Sequence, residues 1–294
     1  MSPRHFLTGE ELSAEELSAL FDRALELKSG RADGEGAGAL TGRTVALVFE
    51  KPSTRTRVSL EVGVAELGGT PVVLRGDDLQ LARGESVGDT GRTLSRYVHA
   101  IAVRSGSHEN VVELAGAASV PVINALTPAH HPCQALGDLL TLRERFGELD
   151  GLRLAYVGDG NNVARSLAIL GRVAGVEVVV ASPEGYRIEP GLAAEDSDDP
   201  RAAAAGADAI YTDVWVSMGD EAEARQRRAD LGPYRVDAEL LAAASDRAIV
   251  LHCLPAHPGE EISEEVLYGA RSAVWDQAEN RLHAQKALLE LLLA

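Results

Sequence analysis

The 294-residue sequence predicts an α/β fold in two domains, each a mostly parallel sheet flanked by helices, with interdomain helices joining them. Short β-branched apolar runs alternate with helical stretches almost throughout. Those runs form two series, separated by one long helical stretch. At roughly 150 residues per domain, the length also suits two domains.

The first series contains strands at Thr44–Phe49, Thr70–Leu74, Ala100–Arg104 and Val120–Asn124, with helices at Thr56–Leu67 and Ser86–Tyr97 between them. A long helix is expected over Pro132–Phe146. Proline suits its first turn, Gly147 its end, and Asp150-Gly151 marks a turn beyond it. The second series is Leu152–Gly158, Val176–Ala181, Ala207–Asp213, Ala248–Cys253 and Ala273–Gln277. Ser182–Pro200, acidic and rich in Pro and Gly, reads as a loop. Ser217–Pro233 reads either as a lid or binding loop or as an exposed charged helix. Glu11–Leu27 and Asn280–Leu293 have the pattern of amphipathic helices.

Composition narrows the function. Hydrophobic residues make up 45% and charged residues 25%, which is globular rather than disordered. A net charge of −17 argues against broad nucleic-acid or anionic-membrane binding, but leaves room for a local basic pocket. No apolar run is long enough to span a membrane, and the first residues lack a signal-peptide layout. Cys133 and Cys253 cannot make a disulfide framework, so a reducing cytoplasm is expected. Aromatics are only 4%, so aliphatic residues must build the core.

Five strand-end motifs could carry chemistry. Lys51-Pro52-Ser53-Thr54-Arg55-Thr56-Arg57 opens a helix with hydroxyls, guanidinium forks and free backbone N–H groups, a combination suited to phosphate. It lacks the glycines and GK[ST] ending of a Walker loop. His130-His131-Pro132-Cys133-Gln134 places His and Gln at a helix start, where they can converge on a carbonyl and its amide. It lacks the second ligand pair of a metal site. Gly158-Asp159-Gly160-Asn161-Asn162-Val163 approaches the dinucleotide fingerprint, but Val163 replaces its last small residue and Ala181 offers no ribose-binding acid. A polar substrate at the sheet edge is the better expectation. Asp213 through Ser217-Met218-Gly219 could grip an amine and a zwitterion. In His252-Cys253-Leu254-Pro255, alternation along a strand points His252 away from Cys253. A pocket-lining thiol is therefore at least as good a reading as a nucleophile.

Together, in order and spacing, these motifs resemble the aspartate/ornithine carbamoyltransferase family over nearly the whole chain. Gln80 and the His252–Pro255 wording point to the ornithine-using branch, since the aspartate branch carries a lysine and Pro-Leu-Pro-Arg at those places. Ser217-Met218-Gly219 points the same way, against putrescine or N-acylated ornithine as acceptor. The Gly76–Gln80 loop departs from the usual Ser- and Gly-rich wording, and Arg165 stands where relatives often carry His.

The resemblance implies carbamoyl transfer from carbamoyl phosphate to the side-chain amine of L-ornithine, without cofactor or metal, in arginine synthesis. It implies a carbamoyl phosphate domain over residues 1–132 plus 280–294 and an ornithine domain over 133–279. Ser53, Thr54, Arg55 and Thr56 would hold the phosphate, and Gln80 would reach in from a neighbouring subunit of a homotrimer. Arg104 would touch phosphate and carbonyl oxygen, His131 would polarise that oxygen, Gln134 would hold the amide, and Arg281 would face the same substrate. Asn162, Asp213, Ser217 and Met218 would bind ornithine's amino-acid end, and Cys253 and Leu254 would line the reacting centre. The catalytic set would be Arg55, Arg104, His131 and Cys253. The proton acceptor stays open between Cys253 and the phosphate. A catabolic direction, another amine acceptor, an NAD-dependent oxidoreductase and a non-catalytic relative are the competing readings.

Overall fold

The structure is a computed structural model, and it describes residues 3–80, 84–217 and 221–294. The chain divides into two compact units, Met1–Leu140 with Asn280–Ala294, and Thr141–Glu279.

The first unit opens with α1 (Ala14–Ser29), started by a reciprocal capping box between Ser13 and Glu16. Its buried face, Leu17, Leu20, Phe21, Ala24 and Leu27, has helical spacing. Then follow β1 (Thr44–Phe49), α2 (Thr54–Glu66), β2 (Thr70–Arg75), α3 (Val87–Leu94), β3 (Ala100–Arg104), α4 (His108–Ala117), β4 (Val122–Leu126) and α5 (Pro132–Phe146). The strands form one parallel sheet in the order β2-β1-β3-β4. The connection after β1 runs to β2 on one side and the connection after β3 runs to β4 on the other, making the edge between β1 and β3 a topological switch point, where open α/β sheets bind ligands. Val45–Phe49 and all of β3 are buried, which explains their unbroken apolar runs.

The second unit contains β5 (Arg153–Val157), α6 (Asn162–Ala174), β6 (Glu177–Ala181), β7 (Glu195–Ser197), α7 (Pro200–Ala204), β8 (Ala209–Thr212), α8 (Ala224–Leu231), α9 (Ala238–Leu241), β9 (Ile249–His252) and α10 (Glu264–Leu267). Its parallel sheet has the order β7-β6-β5-β8-β9, with a switch point between β5 and β8. Tyr156 and Tyr211 stack in its core with ring centroids 5.4 Å apart. α11 (Val274–Leu293) ends the chain, and both α5 and α11 run from one unit into the other.

Two expectations change, and for a third one of its two alternatives holds. Ala273–Gln277 is not a strand; Val274 begins α11. Its short apolar run fits either structure, and the helix wins because the following residues continue a helical pattern. The Ser182–Pro200 segment holds an edge strand, β7, that pairs with β6 through its backbone and needs no apolar run. The described part of Ser217–Pro233 is mostly the charged helix α8. No helix among the described residues is long and apolar enough to cross a membrane.

Candidate functional site

In the first unit the site grows from the C-terminal edge of the sheet. Phe49 and Arg104 are register partners at the ends of β1 and β3. Glu50 fixes the loops beyond them: its N–H donates to the Arg104 carbonyl at 3.0 Å, while its Oε2 accepts from Ser105 Oγ and the Gly106 N–H, both at 2.8 Å. The chain then enters α2 with Ser53 in extended conformation and its side chain making no capping hydrogen bond. The N–H groups of α2's first turn are therefore left for another acceptor. Thr54 and Arg55 are exposed, Ser53 is half-buried and Thr56 is buried.

Arg104 is 8% exposed, and its Nε finds no hydrogen-bond partner among the described residues. Burial lowers its pKa, and the charges of Arg281 and then Arg55 lower it further. Arg281, buried on α11, donates through Nη2 to Thr56 Oγ1 at 2.6 Å. Its backbone lies against Gly137 of α5; a Cβ there would come within 2.8 Å of Arg281 Cγ and 3.2 Å of its N. Glycine at 137 is thus what lets Arg281 approach. Cations gathered this closely are costly unless an anion joins them.

His131 enters from β4 through a turn held by Thr127. The Thr127 N–H donates to the His130 carbonyl at 2.8 Å, and Thr127 Oγ1 accepts from the His130 N–H at 3.1 Å. Burial, followed by the charges of Arg281 and Arg104, drives the His131 pKa well below its ordinary value. A neutral imidazole in this place can donate to a carbonyl oxygen without adding another positive charge. Gln134, 1% exposed, donates through Nε2 to Asp138 Oδ1 at 2.8 Å, and its buried Oε1 has no hydrogen-bond partner among the described residues. Cys133 is structural: burial pushes its thiol up to about 12, and Sγ donates to the Asn124 carbonyl at 3.4 Å. Gln80 is exposed and follows the 3-10 turn Gly76–Asp78.

In the second unit, the ends of β5, β8 and β9 are adjacent and deliver three of the remaining motifs to one edge. Gly160 is required after β5, because a Cβ there would lie 2.5 Å from the Tyr186 carbonyl. Asn161 caps α6, its Oδ1 accepting from the N–H groups of Val163 (2.9 Å) and Ala164 (3.3 Å). Its Nδ2 donates to Asp213 Oδ2 at 2.7 Å. Asp213 Oδ1 accepts from the Val214 N–H and from Cys253 Sγ, each at 2.8 Å. The thiol and carboxylate thus form a polar pair beneath the expected amine position.

His252 does not assist Cys253. Its Nε2 pairs with buried Glu261 Oε1 at 3.1 Å, and its Nδ1 accepts from the Leu254 N–H at 2.9 Å. That second bond holds Leu254 at φ 59, a strained value for a residue with a side chain. Asp213, His252 and Cys253 have ligating atoms within 4.8 Å of one another, but with both imidazole nitrogens committed the set does not fit a metal. Asp159 is tied by Arg227 of α8, which also donates to the Trp215 carbonyl at 2.6 Å and lies over the Tyr186 ring.

Asn162 begins α6 and is half-buried, as is Ser217, whereas Met218 lies outside the described residues. Sequence reasoning missed Asn161 as the partner of Asp213, along with Glu50, Gly137 and Asp138. The Asn-Asn pair before a helix was the one available signal for Asn161.

One parallel α/β unit thus presents a cationic seat with an open helix start, and another presents a carboxylate–thiol pair. This is the equipment of a two-substrate group transferase. A model described as the aspartate/ornithine carbamoyltransferase carbamoyl-P binding domain matches residues 4–144, and one described as the Asp/Orn binding domain matches residues 150–292. An ornithine carbamoyltransferase of Acidothermus cellulolyticus is 57% identical over 99% of this chain and 96% of its own. Among solved structures, the ornithine carbamoyltransferase from Pyrococcus furiosus superimposes with TM-score 0.93 at 48% identity, covering 98% of this chain and 96% of that one. The enzyme from Thermus thermophilus gives TM-score 0.92 at 46% identity, with both chains covered completely. The chain belongs to the aspartate/ornithine carbamoyltransferase family, and it is a carbamoyltransferase.

Proposed function

We propose that the chain transfers the carbamoyl group of carbamoyl phosphate to the side-chain amine of L-ornithine, giving L-citrulline and phosphate. The carrying observation is the first unit's arrangement: an uncapped helix start that carries Arg55, receives a 2.6 Å hydrogen bond from Arg281 at Thr56, and follows β1, whose last residue is in register with Arg104. A phosphate dianion offsets these arginine charges and accepts from α2's first turn.

On this reading Ser53, Thr54, Arg55 and Thr56 hold the phosphate. Arg104 and neutral His131 donate to the carbonyl oxygen as charge develops there, and Gln134 Oε1 accepts from the carbamoyl amide. Asp213, with Asn162, Ser217 and Met218, takes the amino-acid end of ornithine, and Cys253 and Leu254 line the reacting centre. The free amine is protonated near pH 7, so a proton must leave before attack. The bound phosphate can accept it, or Cys253 can by handing the proton it already donates on to Asp213, and the second proton, lost as the C–N bond forms, leaves with the phosphate. The amine attacks the carbamoyl carbon, the C–O bond to phosphate breaks, and no residue is modified. Holding two substrates in line supplies much of the rate.

Transfer from a mixed anhydride to an amine yields a far more stable urea group, which favours the synthetic direction and a role in arginine formation. A homotrimer in the cytoplasm completes the proposal. Support for assembly comes from the exposed outer edge of β2, where Thr70 and Arg75 lie, together with exposed Val58 on α2. Gln80 follows that edge, so a second copy seated there would receive it.

The test is citrulline formation from carbamoyl phosphate and ornithine, with putrescine, N-acetylornithine and aspartate as alternative acceptors. Activity chiefly with ornithine is expected. Activity with another acceptor would overturn the ornithine assignments but keep the carbamoyl phosphate half, and activity with none would overturn both.

A further inference from the structure

We infer that Asp138 sets which way round the Gln134 amide faces, and thereby requires an N–H donor on the group being transferred. This rests on the carbamoyl phosphate reading and goes past it by naming the residue that enforces the choice.

Gln134 and Asp138 stand one turn apart on α5, so their side chains share a face. Asp138 is fully buried, and its Oδ1 accepts from Gln134 Nε2 at 2.8 Å. A carboxamide has a donating end and an accepting end, whereas a carboxylate only accepts. Turning the amide over would put two acceptors face to face and lose that bond. Gln134 must therefore turn its oxygen the other way. That oxygen is buried and has no hydrogen-bond partner among the described residues. The Gln134 N–H donates to the His131 carbonyl at 3.0 Å, and Arg281, packed on Gly137 of the same helix, donates to Thr56 in the first turn of α2 at 2.6 Å.

A substrate bearing NH₂ beside its carbonyl completes this acceptor. One bearing a methyl group in the same place buries the Gln134 oxygen unpaired. A buried polar group left without a partner reduces affinity by about tenfold to a hundredfold. Asp138 touches neither substrate in this scheme. It is a positioning residue, and its effect is on selectivity: without it, Gln134 could turn its NH₂ inward and tolerate the methyl compound.

The experiment compares two stable phosphonates by calorimetry on the full chain. Phosphonoacetamide carries the NH₂, and 2-oxopropylphosphonate carries a methyl in its place. The native protein is expected to bind the amide about tenfold to a hundredfold more tightly. In Asp138→Asn the new side chain can pair with either end of Gln134, so the ratio should fall to within about threefold of unity. Affinity for 2-oxopropylphosphonate should not fall. Asp138→Ser, whose hydroxyl both donates and accepts, should give the same collapse if the Asn variant fails to fold. In a Gln134→Met background, Asp138→Asn should leave the ratio unchanged. A folded Asp138 variant that keeps the native ratio, or weakens both ligands equally, overturns the inference. Native protein that binds both phosphonates equally overturns it while leaving the carbamoyl phosphate reading standing. Native protein that binds neither overturns that reading itself.

Discussion

α2 and α6 both begin at the C-terminal edge of a parallel sheet, directly after a strand at a topological switch point, yet their first turns are finished differently. Ser53 leaves the α2 start without a side-chain cap, and arginines gather beside it. Asn161 closes the α6 start by accepting two of its N–H groups, and its amide holds Asp213. The open start keeps its partial positive charge for an anion. The closed one has spent that capacity, and the charge displayed beside it is a carboxylate. On the proposed function, one supersecondary unit, used twice, makes an anion seat and an amine seat. The same comparison weighs against a dinucleotide at Gly158–Val163, because a pyrophosphate would need the N–H groups that Asn161 already occupies.

The largest expected effect is on the open side. Arg55→Ala should lower kcat by about 10²–10³-fold, as loss of a preorganised charge donor does. Arg55 is exposed, so the melting temperature should not move. Steady-state kinetics and a thermal melt on one preparation check both statements, and undiminished turnover would remove phosphate from the α2 start.

Asp213→Asn comes next, on the closed side. Removing one partner of a buried charge interaction should raise the ornithine KM by about a hundredfold. The affinity for carbamoyl phosphate should hold, because Asp213 belongs to the other unit. Substrate titrations in each direction separate the two, and parallel losses would mean that the chemistry is not divided as α2 and α6 suggest.

How much of this division the sequence made legible depended on the kind of signal. Continuous apolar runs located the central strands, since burial on both faces leaves no alternation to misread. Pro132 and Gly147 bracketed α5 because each fits one end of a helix and not the other. Motifs at strand ends gave the candidate site residues, since parallel sheets bring such ends together. β7 stayed hidden because an exposed edge strand needs only backbone partners. Ala273–Gln277 misled because five apolar-rich residues fit a strand or a buried helix equally well. Asn161 and Asp138 were invisible as partners because each acts through a residue distant in sequence or concealed in an apolar helix; only the fold pairs Asn161 with Asp213.

A smaller effect tests the caps directly. Asn161→Ala should destabilise the protein by about 1 kcal/mol, the usual value of an N-cap. Ser53→Ala should stay within about 0.5 kcal/mol, since its side chain caps nothing. Urea unfolding gives both values. Equal losses would mean that the α2 start is capped after all and that the contrast between the helices is false.

The smallest effect is a slope rather than a loss. His131 is buried, and Arg281 and Arg104 add to the burial in holding its pKa well below 6.5. Above about pH 6.5 it is neutral whether the chain is folded or not, so it adds no pH dependence there. Below that value the unfolded chain takes up a proton that the folded chain refuses, and linkage makes stability fall as pH falls. His131→Asn removes that proton, so its stability should decline less steeply than the native protein's between pH 6.5 and 5. Inorganic phosphate should also flatten the native slope, because a dianion offsets the arginine charges and lets the folded His131 protonate more readily. Unfolding midpoints across this pH range, with and without phosphate, give the comparison. If native and variant slopes run parallel, His131 does not carry the acid sensitivity; if phosphate leaves the native slope unchanged, the anion does not sit beside the imidazole, and the open start of α2 serves some other ligand.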